Sequence, residues 1–174
     1  MSERSYTTVD KSEWPRGEWH DEPDKIQWVD EATGLDCLIV RNAGGALCGY
    51  VGVPPEHPWH GVNYWGCPKG EEREPLGCEH CPDAHVEVHG GLTYADACQE
   101  SDDPSRGICH VPEPGRPDDV WWFGFDCAHA GDVSPKWDAA ERFDEFLGYS
   151  SYKWVGYVKQ EVRNLARQIA EVTA

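Results

Sequence analysis

The sequence predicts an α+β fold, a single domain with a largely antiparallel sheet of about five strands covered by two C-terminal helices. Two observations lead there. Short β-branched and aromatic runs, punctuated by Gly, Pro and Asn, fill the chain up to residue 129. Helical spacing appears only afterwards, and strands followed by helices describe α+β architecture. At 174 residues the chain can bury one real core. Its hydrophobic fraction is only 39%, but nine Trp, seven Tyr and four Phe each bury a large area.

Residues 1–24 are acidic, polar and Pro-containing, and read as an N-terminal arm with Trp14 and Trp19 as anchors. The single domain then spans 25–174. Residues 25–30 and 35–41 flank Ala32-Thr33-Gly34, a hairpin signal. A third strand over 46–53 carries Gly49 and Gly52, which suggest a bulge or a close backbone approach, and Pro54-Pro55 stops it. Residues 57–82 are a Cys-, Gly- and Pro-rich loop. Alternation over 85–94 predicts a fourth strand, with Val86, Val88, Leu92 and Tyr94 toward the core and His85, Glu87, His89 and Thr93 on the other face. Four prolines make 95–119 irregular. Residues 120–129 are apolar on both faces, as a central strand requires. Ser134-Pro135 opens a helix over 135–147, ended by Gly148. A second helix over 151–171, opened by Ser150 or Ser151, carries Val155, Val158, Val162, Leu165 and Ile169 as an apolar stripe.

The formal net charge is −17, and residues 149–174 carry a net +2, which leaves −19 on the remainder. That field repels phosphates and argues against direct nucleic-acid binding. It leaves a small-molecule ligand, assisted by a cation, or a basic protein surface as partner; solubility alone also explains it. The start of the chain has no apolar leader, and no window reaches membrane-spanning length. The expected location is therefore cytoplasmic, and the eight Cys are read as thiols or metal ligands before disulfides.

Two groups of side chains carry chemistry. Cys78 and Cys81 have the two-residue spacing that lets two thiolates of one turn reach a tetrahedral zinc, with Cys67 as third ligand. His80, His85, Cys98 or Cys109 would be the fourth. A long loop with few apolar residues needs a staple, and structural zinc supplies one. Free thiols or a redox pair are the alternatives, and Cys98 with Cys109 could form a pair of their own.

The second group lies at strand ends. His89 precedes Gly90-Gly91, which permit close backbone approach, and Thr93 follows. Asp126, Cys127, His129 and Asp132 close the aromatic run Trp121-Trp122-Phe123-Gly124-Phe125, and His57 and His60 follow the third strand. If these ends converge, His89, His129 and Asp132 would be metal ligands or acid–base groups and Asp126 an orienting group. His57, His60, Gly90, Gly91 and Thr93 would then line the ligand. Imidazole with carboxylate suits zinc, iron or manganese, and metal-bound water is the usual nucleophile of such sites. The plainer alternative is that single histidines hydrogen-bond backbone at turns. Cys127 and His129 share a strand face, but three aromatics precede Cys127 there and favour simple burial. Phosphate-binding Gly loops, nucleophile elbows and dinucleotide fingerprints are absent from the sequence.

The stretches Gly45–Pro54, His89-Gly90-Gly91-Leu92-Thr93, Trp121–Asp132 and Tyr157–Gln168 resemble an uncharacterised family of small proteins of bacteriophage and bacterial genomes. The resemblance implies a setting inside a bacterial host cell and carries no reaction. The function expected from the residues is a His/Asp-lined metal or small-ligand site, with metal-dependent hydrolysis as its chemistry. An acidic protein that binds and inhibits a partner, or a structural zinc module, are the rivals.

Overall fold

The computed structural model describes residues 3–66, 81–99, 101–137 and 150–172. One antiparallel sheet of six strands organises them: β1 (Arg4–Tyr6), β2 (Lys25–Val29), β3 (Asp36–Arg41), β4 (Leu47–Val53), β5 (Tyr94–Ala97) and β6 (Trp121–Asp126). Their order is β1-β2-β3-β4-β6-β5. A one-turn helix, α1 (Pro82–His85), precedes β5, and the long helix α2 (Val155–Ala170) crosses one face.

Local chemistry sets the turns. Asp30 accepts the Thr33 amide and hydroxyl at 3.1 and 2.9 Å, and Gly34 takes φ +75° to close the β2–β3 hairpin. Asn42 accepts the amides of Gly44 and Ala46, both at 3.0 Å, and so shapes the β3–β4 turn.

Both sheet faces are buried. On one, Val158, Val162, Leu165, Ala166 and Ile169 of α2 pack against Ile39, Leu47, Val51, Phe123 and Phe125. Full burial of each large side chain contributes roughly 1.5–3 kcal/mol. Gly49 is the close approach that its place in β4 suggested, since a Cβ there would lie 2.5 Å from both Val162 and Phe125. The other face holds Leu38, Val40, Cys48, Tyr50, Val120 and Trp122 beneath Tyr94, Cys98 and Ile108. Lys25, fully buried, anchors the segment above them by donating to the carbonyls of Pro104, Gly107 and Cys109 at 2.7, 2.8 and 2.5 Å.

Several expectations change. The sheet has six strands rather than five, because residues 4–6 of the presumed arm pair with β2 as an edge strand. Residues 85–94 are not a strand: α1 ends at His85, a turn follows, and pairing with β6 begins only at Tyr94. The buried pattern read there is nevertheless real for Val86 and Leu92. The final helix starts at Val155, not near Ser151, because Ser151 pairs with Asp132 in an isolated bridge instead. Most of the helix expected over 135–147 lies outside the described residues.

The cysteine expectation changes as well. Cys98 and Cys109 form a disulfide, although thiols were expected first. Cys81, read as a zinc ligand, is a buried free thiol whose Sγ–H donates to the Trp65 carbonyl at 3.2 Å. Its suggested co-ligands Cys67 and Cys78 lie outside the described residues.

Candidate metal centre

Three elements meet at the end of β6. The first is the turn after α1. Gly91 donates to the Val88 carbonyl at 3.0 Å, and Gly90 and Gly91 take φ +70° and +81°, a left-handed pair that L side chains resist. Asp83 steadies it by accepting the Leu92 amide at 2.9 Å. His89 rides on this turn, and its own amide donates to Glu161 of α2 at 3.0 Å.

The second is the loop after β6. The Asp132 amide donates to the His129 carbonyl at 2.9 Å, and Asp132 Oδ2 accepts the His129 amide at 3.0 Å. That reciprocal turn holds both side chains on one side. The bridge between Asp132 and Ser151 fastens the loop to the approach of α2. The third is α2 itself, with Tyr157 and Glu161 one turn apart beside its apolar stripe, and Lys153 just before its start.

His89 Nε2 lies 2.8 Å from Asp132 Oδ2, and its Nδ1 accepts from the Tyr157 hydroxyl at 2.9 Å. The His89 and His129 ring centroids are 5.7 Å apart. His129 Nδ1 lies 3.7 Å from both Asp132 Oδ2 and Asp126 Oδ1 and is buried without a hydrogen-bond partner. Lys153 Nζ stands 3.4 Å from the other Asp132 oxygen. Burial by itself would raise the Asp132 carboxyl, but bonds from His89, the His129 amide and Lys153 outweigh it and hold the group below 3.8. Burial raises the Tyr157 hydroxyl, with Glu161 adding to it, so it remains a donor.

One donor atom from each of His89, His129 and Asp132 falls within 4.8 Å of the other two, a spacing that could hold a metal ion. Bonds of about 2.1 Å at tetrahedral angles place neighbouring ligand atoms roughly 3.4 Å apart. The observed 2.8 and 3.7 Å bracket that value. Asp132 is almost fully covered, whereas the His129 side chain is 34% exposed, so the centre opens on the His129 side.

The expected set thus comes together in part. His89, His129 and Asp132 converge, and Asp126 stands at the rim, touching His129 while also accepting the Ala128 amide at 3.0 Å. Gly90 serves by absence, because a Cβ there would lie 2.2 Å from His129 Cε1. Gly91 shapes the turn. The expected convergence of His57 and His60 fails. His57 Nδ1 accepts the Trp59 amide and its Nε2 donates to the Ile169 carbonyl, twelve residues along α2 from Tyr157, or about 18 Å. His60 donates to the Asp119 carbonyl before β6, a strand length of roughly 20 Å from Asp126. Both are turn histidines bonded to backbone. Thr93 is exposed and pairs its amide with the Gly124 carbonyl, extending the β5–β6 ladder.

Cys127 is 1% exposed, and burial, with Asp132 and Cys48 behind it, pushes its thiol far above the ordinary value. It is a core residue, and its burial disfavours the thiolate. Residue type alone does not mark Tyr157, Lys153 and Glu161, because they lie beside or just before the apolar stripe of α2. The signal was the Tyr157/Glu161 pair at i, i+4 on the flank of that stripe. A separate cavity of about 280 Å³, lined by Thr8, Trp14, Asp24, Arg41, Arg106 and Lys136 among others, contains none of His89, His129 and Asp132. No described helix is long and apolar enough to cross a membrane. Comparison with models of protein families, with curated proteins and with solved structures finds no match to this chain.

Proposed function

We propose that the protein binds one divalent transition-metal ion, zinc being the best fit to this nitrogen and oxygen set, through His89, His129 and Asp132, and uses it in hydrolysis of a small substrate. The observation that supports this most is the bare, buried Nδ1 of His129 beside two carboxylates. A native interior rarely leaves such an atom unbonded, and a cation between it and Asp132 satisfies both. Bound metal supplies Lewis acidity and a water acidified toward neutral pH. Tyr157 fixes the His89 ring, the role outer hydrogen bonds play around metal-ligating imidazoles. With metal on Nε2 the single proton of neutral His89 would sit on Nδ1, which would then donate to the Tyr157 hydroxyl oxygen.

Calorimetric titration of metal-stripped protein with Zn²⁺ and Mn²⁺ tests the reading. One tight equivalent is expected, with a tenfold or greater loss of affinity in His129→Gln. Metal-dependent turnover of chromogenic carboxylic and phosphoric esters, lost in the same variant, tests the hydrolytic part. Equal metal affinity in wild type and His129→Gln would refute the assignment.

A second reading has its own support. Trp65, Trp137 and Trp154 are 46%, 60% and 54% exposed on a chain of net charge −17. Aromatic anchors in an acidic field suit docking on a basic protein surface. Such binding weakens with added salt and with Trp137→Ala or Trp154→Ala, while His129→Gln leaves it unchanged.

A further inference from the structure

A second cluster lies on the opposite face of the sheet, under the segment tied down by Lys25. Donor atoms of Cys98, Cys109, His110 and Asp118 all fall within 4.8 Å of one another. The two sulfurs are joined as a disulfide. His110 is 3% exposed, and neither of its ring nitrogens makes a hydrogen bond. Its Nε2 is 3.3 Å from Asp118 Oδ1 without the geometry of one. A buried imidazole bare at both nitrogens is costly, because each unsatisfied group has given up its bonds to water. Packing against Trp122, with ring centroids 6.2 Å apart, does not relieve that cost.

We propose that Cys98, Cys109, His110 and Asp118 form a redox-gated site for a thiophilic divalent cation of the zinc class, closed while the disulfide is intact and opened by its reduction. A dithiol passes two electrons to the Cys98–Cys109 bond and itself becomes a disulfide, leaving two protein thiols. Binding of the cation then releases both thiol protons. The freed sulfurs separate to roughly 3.8 Å, as tetrahedral bonds of about 2.3 Å require. His110 completes the set from inside. Asp118, with a side chain 58% exposed, completes it from the solvent side and gives the ion a way in.

The surroundings match. The Trp122 indole N–H donates to Cys98 Sγ at 3.3 Å, the outer contact that steadies a ligating thiolate. Two thiolates, one carboxylate and a divalent ion sum to one negative charge. The Lys25 ammonium, bonded to the Cys109 carbonyl, supplies the compensating positive charge from within the same buried layer.

Cobalt titration of the full chain, oxidised and after anaerobic phosphine reduction, is the test. The centre proposed at His89, His129 and Asp132 has no sulfur donor, so its failure or success leaves this readout untouched. Reduced wild type should bind one additional Co²⁺ with a near-ultraviolet thiolate-to-cobalt band, and oxidised protein should show no such band. Cys98→Ser/Cys109→Ser and His110→Gln should each lose the band or weaken cobalt binding at least tenfold, whereas Cys67→Ser/Cys78→Ser should retain it. Should the double serine variant fail to fold, His110→Gln decides alone. Absence of the band in reduced wild type, or its persistence in His110→Gln with loss in Cys67→Ser/Cys78→Ser, would overturn the proposal.

Discussion

The His129 imidazole occupies the space that a side chain on Gly90 would need: a Cβ there would come 2.2 Å from Cε1 and 2.5 Å from Nδ1. Gly90→Ala must therefore push His129 away from Asp132, besides straining a φ of +70° by about 1–2 kcal/mol. Gly91→Ala is the matched control. It carries the same kind of strain at φ +81°, yet its Cβ meets only Asp83 Oδ1 at 3.4 Å. Gly90→Ala should lose at least as much stability as Gly91→Ala in urea unfolding, but only Gly90→Ala should lose metal affinity, by tenfold or more. Equal metal affinity in the two would mean that His129 is not a ligand.

Glu22 caps α2 from a distance of more than a hundred residues in sequence. Its Oε1 accepts the Val155 amide at 2.8 Å, and its Oε2 accepts the Tyr152 hydroxyl at 2.6 Å. A carboxylate at a helix N-terminus satisfies an open donor and meets the positive end of the helix dipole. No side chain of the N-cap residue Trp154 does this work. Glu22→Gln keeps the shape and removes the charge, so a loss of about 1–2 kcal/mol is expected, measurable as a lowered urea midpoint with an unchanged slope. Because α2 also holds Tyr157 and Glu161 against His89, the variant should weaken metal binding as well. An unchanged midpoint would mean that the cap carries no net stability.

The same contact explains which parts of the fold were legible in sequence. Strands β2, β3, β4 and β6 were readable because apolar alternation and turn residues act locally. The edge strand at Arg4–Tyr6 was not, since three polar residues reveal a strand only through the partner they pair with. Residues 85–94 alternate as a strand does, but Gly90 and Gly91 at positive φ break the ladder, and Val86 and Leu92 reach the core from a turn instead. At the candidate centre, His89, His129 and Asp132 announced themselves by residue type near Gly. His57 and His60 did so equally well, and only the distance along α2 and β6 separates them from the centre. Glu22 and Lys25 were invisible as functional partners because their contacts lie 133 and up to 84 residues away.

The acid limb of stability should be set in large part by Asp24. This carboxylate is 3% exposed and accepts from the amides of Thr8 and Val9, both at 2.8 Å, from Lys11 at 2.7 Å and from Arg41 at 2.8 Å. Burial by itself would raise its titration, but Lys11, the two amides and Arg41 outweigh it and hold it below the ordinary 3.8. A group depressed in the folded state stabilises wherever the unfolded chain would bind more protons. That contribution is complete above the ordinary carboxylate range and disappears as pH falls through the lower folded value. Asp24→Asn should therefore cost about 3–5 kcal/mol at neutral pH, because Lys11 and Arg41 are left buried without their counter-charge. The gap between wild type and variant should narrow as the solution is acidified through and below the carboxylate range, with Asp132 contributing the same sign of slope from the candidate metal centre. Urea unfolding of both proteins across that range measures it. Parallel pH profiles would show that Asp24 does not carry the acid sensitivity, whatever its network contributes at neutral pH.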